Sequence, residues 1–225
     1  MQCGRPIRRD NPASCQKDVY LEFYNSYEYC KECKSFANSA KYPFQKNNIS
    51  ARVQEISCVK QGKALYLYRG DMKQIMYRFK YSNKREDASF FALQEVEKYG
   101  AWMKERQIQV IVPVPMFPRK ERRRGYNQAL CFASELSALT GIPVDAGLVY
   151  RTKDTMPLKQ LNRMERKNNL KNAFQKGKSI VQYSHILVVD DIYTTGSTVQ
   201  AVAEVLIQKD TSHVYFMSIC IGETM

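Results

Sequence analysis

The stretch that decides the fold is Ile186-Leu-Val-Val-Asp-Asp-Ile-Tyr-Thr-Thr-Gly-Ser-Thr-Val199. Its first four residues are uniformly apolar, as in a strand buried on both faces inside a parallel sheet. Two carboxylates, Asp190 and Asp191, arrive where that strand should end. Thr194, Thr195, Gly196, Ser197 and Thr198 follow, small residues that let backbone N–H groups turn inward, and Val199, Val202, Ala203 and Leu206 then recur at helical spacing. Strand, small-residue loop and helix N-terminus in that order offer an anion convergent donors and the positive end of a helix dipole. Ionised Asp190 and Asp191 accept hydrogen bonds only, which suits a vicinal diol beside that anion. A diol grip next to a phosphate cradle describes a ribose 5-phosphate.

Upstream, Ile108-Gln-Val-Ile-Val-Pro-Val-Pro115 reads as a second core strand, stopped by two prolines that cannot donate to a ladder. Phe117-Pro-Arg-Lys-Glu-Arg-Arg-Arg-Gly-Tyr-Asn-Gln128 places five basic side chains ahead of a helix starting near Asn127. A cationic loop at the carboxyl end of a parallel strand is where an α/β sheet binds anions. Arg119 and Lys120 lie nearest the strand, with Arg122, Arg123 and Arg124 as alternatives.

The remaining chain sets these elements in context. At 225 residues and 44% hydrophobic it can bury a core and carry one main domain with a small appendage. A net charge of +13 selects an acidic partner, either nucleic acid or a phosphorylated metabolite. Residues 111–179 hold fourteen Lys/Arg against five Asp/Glu, an excess of nine out of the thirteen. Such a basic connector could be a lid over substrate, a track for a polynucleotide, or simply a solvated surface. No apolar run approaches membrane-spanning length and the start has no signal-peptide core, so a cytoplasmic protein without membrane insertion is expected.

Four of seven cysteines fall in the first forty residues. Cys30-Lys-Glu-Cys33 has the two-residue spacing of a zinc knuckle. Cys3 and Cys15 could complete the ligand set, or Cys3-Gly-Arg-Pro6 could be the tail of a Cys-x-x-Cys begun upstream, which would leave Cys15 spare. The polar stretch 38–52 marks a boundary. Beyond it, Glu55 to Leu67 alternates around Gln61-Gly62, the pattern of a hairpin turn. Helices are expected from Asp71 to Tyr81, from about Ala88 to Lys104, and from about Lys159 to Asn172. A short strand is expected from Val144 to Tyr150, and His213 to Ile221 reads as a core strand that is either an edge or fully buried.

The 186–199 stretch resembles the 5-phosphoribosyl-1-pyrophosphate (PRPP) loop of type I phosphoribosyltransferases. Val112-Pro-Val-Pro115, the Arg-Arg-Gly-Tyr-Asn-Gln run, Tyr68 to Tyr81 with its Phe-Lys-Tyr ending, and Arg151-Thr-Lys-Asp-Thr with Gln160, Arg166 to Asn168 and Ala173-Phe174 resemble the ComFC and GntX-type competence-associated phosphoribosyltransferase-like proteins. The resemblance covers nearly the whole chain.

That resemblance implies an α/β fold, a doubly wound, mainly parallel sheet of the type I phosphoribosyltransferase kind, with a small N-terminal Cys-rich zinc module. The expected parts are a zinc module over 1–40, a hairpin and helical hood-like region over 41–107, and a phosphoribosyltransferase-like domain over 108–225. It further implies that Asp190 and Asp191 take the ribose diol of PRPP, Thr194 to Thr198 its 5-phosphate, and Arg119, Lys120 and Arg122 to Arg124 its pyrophosphate or a nucleic-acid phosphate. Cys3, Cys15, Cys30 and Cys33 would hold structural zinc, and Mg²⁺ would accompany PRPP. The implied role is handling imported single-stranded DNA in natural competence, alongside DNA-import or recombination proteins. An active transferase acting on an unidentified nucleobase or amine is the alternative, though no general base or nucleophile pocket is legible.

Overall fold

The computed structural model describes residues 58–82, 85–154, 170, 172–177, 181–207 and 213–222. The four N-terminal cysteines and most of the expected 159–172 helix lie outside them. The elements in chain order are β1 (Gln61–Leu67), α1 (Asp71–Tyr81), α2 (Asp87–Glu105), β2 (Val110–Pro113), α3 (Pro118–Arg124), α4 (Gln128–Thr140), β3 (Val149–Arg151), β4 (Phe174–Lys176), β5 (His185–Tyr193), α5 (Ser197–Leu206) and β6 (His213–Ile221). The main sheet runs in the order β1-β6-β5-β2 with every pairing parallel, and β3 and β4 form a separate antiparallel pair.

Position in the sheet explains the residue choice in each strand. β5 and β6 are central, so both faces must be apolar, and Ile186 to Val189 and Val214 to Ile221 are all buried. Alternation divides these side chains between two layers. Ile186, Val188, Val214 and Phe216 join Val199, Val202, Ala203 and Leu206 of α5 in one core. Leu187 and Val189 point the other way, to the face where α4 packs against β2 and β5 and α2 packs against α4 and β1. Full burial of each such Val or Leu stabilises the fold by about 1.5–3 kcal/mol. The result is the expected α/β sheet with helices on both faces.

Three local expectations change. Gln61 and Gly62 are not a turn: they lie in β1, in register with Tyr215 and Phe216 of β6. The alternation that suggested a hairpin belongs to a parallel strand whose partner is distant in sequence. Of the strand expected from Val144 to Tyr150, the part before Val149 forms only a single bridge, Val144 to Ile111, and β3 begins at Val149. That bridge protects an edge: Ile111 N–H donates to Pro143 O at 2.9 Å and Asp145 N–H to Ile111 O at 3.0 Å, covering the outer side of β2. Finally, the cationic loop after β2 is a short helix, α3, with Pro118 at its start and Gly125 ending it at φ 90°.

The Arg-Arg-Gly-Tyr-Asn-Gln run proves to be largely a joint. Gly125 supplies the left-handed turn between α3 and α4. Tyr126 Oη donates to Phe79 O, and its ring meets the edge of Phe79, fixing the end of α1 against this joint. Asn127 caps α4 by accepting from Ala129 N–H at 3.0 Å while its Nδ2 donates to Val114 O at 3.1 Å, tying the helix to the end of β2. Asn127→Ala removes both bonds and leaves a buried carbonyl unpaired. It should cost about 1–3 kcal/mol, or roughly 2–12 °C in a thermal melt. A shift below about 1 °C would show that the joint does not depend on the cap.

Candidate functional site

The site forms where β2 stops and β5 continues. Pro113 is level with Val189, and Val114 N–H donates to Val189 O at 2.9 Å. β5 then extends through Asp190 to Tyr193, paired only with β6, rather than ending at Val189. One side of β5 therefore opens at the acidic pair, in the crevice beyond the strand ends where α/β sheets take ligands.

The two carboxylates diverge with the strand's alternation. Asp191 turns towards α1, where Lys80 Nζ meets its Oδ2 at 2.8 Å with the two side chains 21% and 13% exposed. Burial works to lower the Lys80 pKa, but the Asp191 charge and hydrogen bond, and then Asp190, outweigh it and raise it, while Arg124 opposes them. Asp190 lies within electrostatic reach of Arg151 at the end of β3, and its Oδ1 accepts from Asp191 N–H at 2.8 Å. Burial first, and then the Asp191 charge, push Asp190 up to about 7, against that hydrogen bond and against Lys80 and Arg151.

Immediately after the strand, Gly196 adopts φ 75° as the N-cap of α5, a left-handed conformation that costs a side-chain-bearing residue strain. No side chain caps this helix. Gln200 is the first residue whose N–H closes a helical bond, to Gly196 O at 2.8 Å. The amides of Ser197, Thr198 and Val199 stand ahead of it as the donors that a helix N-terminus presents to an anion. Thr195 Oγ1 and Ser197 Oγ share a hydrogen bond of 2.9 Å across the loop mouth.

The helix α3 follows β2 at this end of the sheet. Lys120 near its start pairs with Asp154 at 3.0 Å, and Asp154 is within electrostatic reach of Arg119 and Arg151. Arg124 at its end donates to Gln128 Oε1 at 2.7 Å and lies 5.1 Å over the Tyr81 ring. Arg119, Arg122 and Arg123 are exposed. The predicted residues thus divide: the acidic pair and the Thr194–Thr198 loop are contiguous, and α3 touches their surroundings through Asp154 and Tyr81. Among the described residues no group of three or more His, Cys, Asp or Glu could hold a metal ion. No described helix is long and apolar enough to cross a membrane.

Sequence reasoning did not single out Lys80 and Arg151 as site residues. Both stand in runs that carry the family resemblance, Arg78-Phe-Lys-Tyr81 and Arg151-Thr-Lys-Asp154. The available signal was a lysine directly after Phe79, whose burial holds α1 in place while its neighbour reaches the crest. Both histidines lie far from this chemistry, at the amino ends of β5 and β6, where His185 and His213 rings meet at 5.1 Å.

No family model matches the chain. The DNA utilization protein YhgH of Salmonella typhimurium is 32% identical over 160 residues, covering 68% of each chain. Competence protein F of Haemophilus influenzae is 38% identical over 100 residues, 44% of each chain. Competence protein ComFC of Bacillus subtilis is 25% identical over 159 residues, 70% of this chain and 62% of that one. Identity of about a third, sustained over two thirds of both chains in the first of these, shows a common lineage: the chain belongs to the ComFC-type competence family.

Proposed function

We propose that the protein binds PRPP at the crest formed by β5, α5 and α1 and acts in natural competence by handling imported single-stranded DNA. The observation that carries the PRPP reading is the unbroken run from Asp190 and Asp191 into the helix N-terminus that begins at Gly196. Amides of Ser197 to Val199 would take the 5-phosphate. Asp190 and Asp191 would accept from the ribose hydroxyls, with Lys80 and Arg151 holding the two carboxylates in place. Arg119 and Lys120 stand nearest the pyrophosphate end, Lys120 exchanging Asp154 for phosphate oxygens.

Mg²⁺ fits this reading as a companion of the pyrophosphate. Two carboxylates, one of them already clasped by Lys80, are too few to hold the ion alone. When bound it would neutralise pyrophosphate charge. The N-terminal cysteines, outside the described residues, would supply structural zinc. A binding or sensing role is favoured over turnover because both histidines sit at the opposite end of the sheet from the crest. The DNA reading rests on the relatives' names and on the basic excess of residues 111–179.

Binding of a labelled single strand across a salt series, with and without PRPP and Mg²⁺, tests the proposal. Affinity should fall steeply with salt, and PRPP should alter it. Replacing Arg122, Arg123 and Arg124 together should lower the log–log salt slope by about 2–3. An unchanged slope would remove α3 from the interface, and a strand that does not bind would remove the DNA role.

A further inference from the structure

We infer that Tyr77 and Tyr81 on α1, with Arg124 of α3, form a base-stacking platform for single-stranded nucleic acid directly beside the phosphosugar crest. The inference rests on the reading that the chain handles single strands, and it names where the bases go.

Tyr77 and Tyr81 are 63% and 59% exposed, unusual for side chains with so much ring surface. They stand one turn apart, with ring centroids 4.9 Å apart and planes inclined by 44°. Such a pair helps a helix by only about 0.2–0.5 kcal/mol, which does not by itself account for two large rings in solvent beside cations. The Arg124 guanidinium lies 5.1 Å over the Tyr81 ring and is held there by Gln128, so one end of the platform is fixed while more than half of each tyrosine stays exposed. Tyr126, packed under α1 and bonded to Phe79 O, makes the helix a firm base.

The surrounding charge selects the ligand. The last two turns of α1 carry Arg78 and Lys80 and no acid, and α3 adds Arg119, Lys120, Arg122, Arg123 and Arg124 against Glu121. A polyanion is drawn to this face, and an aromatic surface beside it takes the flat faces of unpaired bases; a duplex keeps its bases stacked on each other and cannot use it. Tyr81 adjoins Lys80, which clasps Asp191. A strand lying on the tyrosines would therefore pass next to the acidic crest.

The test is fluorescence anisotropy with a labelled oligo(dT) of about 15 nucleotides, the upper range for one compact site. An oligo(rU) of the same length and a duplex of the same length are measured in parallel. Y77A/Y81A should lose about tenfold or more in affinity for the single strands, and Y77F/Y81F should stay within about twofold of the parent chain. The salt slope should not change, because no phosphate contact is lost. Both tyrosines are exposed, so the Y77A/Y81A variant should melt within a few degrees of the parent, the Arg124 contact to Tyr81 being the main loss. If the parent chain binds single strands and Y77A/Y81A binds them equally well, or if duplex affinity falls in step with single-strand affinity, the platform is wrong while the DNA reading stands. If the parent chain binds no single strand, both fall.

Discussion

Asp190→Asn with Asp191→Asn should reduce PRPP affinity by about 100-fold or more, because two charge-assisted hydrogen bonds to the ribose, worth about 1.5–3 kcal/mol each, become neutral ones. The fold should survive. Asparagine keeps an oxygen that can accept from Lys80 Nζ at position 191 and from the Asp191 N–H at position 190. Asp190, raised to about 7, adds a pH signature. Ionised, it accepts from both hydroxyls as a charge-assisted partner, so PRPP affinity should rise by up to about tenfold between pH 6 and pH 8, and Asp190→Asn alone should abolish that rise.

Stability should move in the opposite sense. The folded chain holds the Asp190 proton to about pH 7, whereas the unfolded chain releases it near pH 4. The contribution of this group to stability is therefore complete below about pH 4 and is lost as pH rises through about 7. Part of the Asp190 surface stays open to water, which moderates the effect. Asp190→Asn should raise the melting temperature at pH 8 and leave it nearly unchanged at pH 4. Titration calorimetry and thermal melts at the two ends of the range measure both effects. Full PRPP affinity in the double variant would remove the acidic pair from the site.

Lys80→Met should be the most destabilising single change at the crest. It leaves the Asp191 carboxylate, largely removed from water, without its partner at 2.8 Å. Breaking one side of a fully buried pair costs about 3–5 kcal/mol; with 21% and 13% of the two side chains exposed, the loss should be about 2–4 kcal/mol, or roughly 4–16 °C in melting temperature. Adding Asp191→Asn should recover much of the loss, since the orphaned charge is then gone. Equal melting temperatures for Lys80→Met and the parent chain would mean that the ion pair only decorates the surface.

How far the sequence reads depends on whether a feature has a local cause. The β5–loop–α5 unit was legible because its causes are consecutive: an apolar run, two acids, small residues and a helical stripe. The start of α4 near Asn127 and the strand stop at the prolines were legible for the same reason, though not the capping role of Asn127. β1 was misread because alternation records which face is buried, not which strand lies alongside, and its partner β6 is at the other end of the chain. α3 read as a loop because like charges in succession disfavour a helix; Pro118, Gly125 and contacts from Arg124 to Gln128 and Tyr81 hold it in place. Lys80 went unnoticed because its meaning lies in Asp191, which only the fold brings near.

The exposed tyrosines show the same limit from the other side. Aromatic residues at helical spacing ordinarily fill cores, and on α1 that holds for Phe79, buried against Phe91 and Tyr126. Tyr77 and Tyr81 fall on the opposite face. Only the position of α3 shows that a guanidinium meets them there.

The central claim is that PRPP sits with its ribose on the acidic pair and its 5-phosphate on the first turn of α5. A crystal structure of the protein soaked with PRPP and Mg²⁺ tests it most directly. Phosphate density is expected against the amides of Ser197, Thr198 and Val199, with ribose hydroxyls on Asp190 and Asp191. Crystals in which PRPP lies elsewhere, or in which saturating PRPP leaves the crest empty and Lys80 still closed on Asp191, would contradict it.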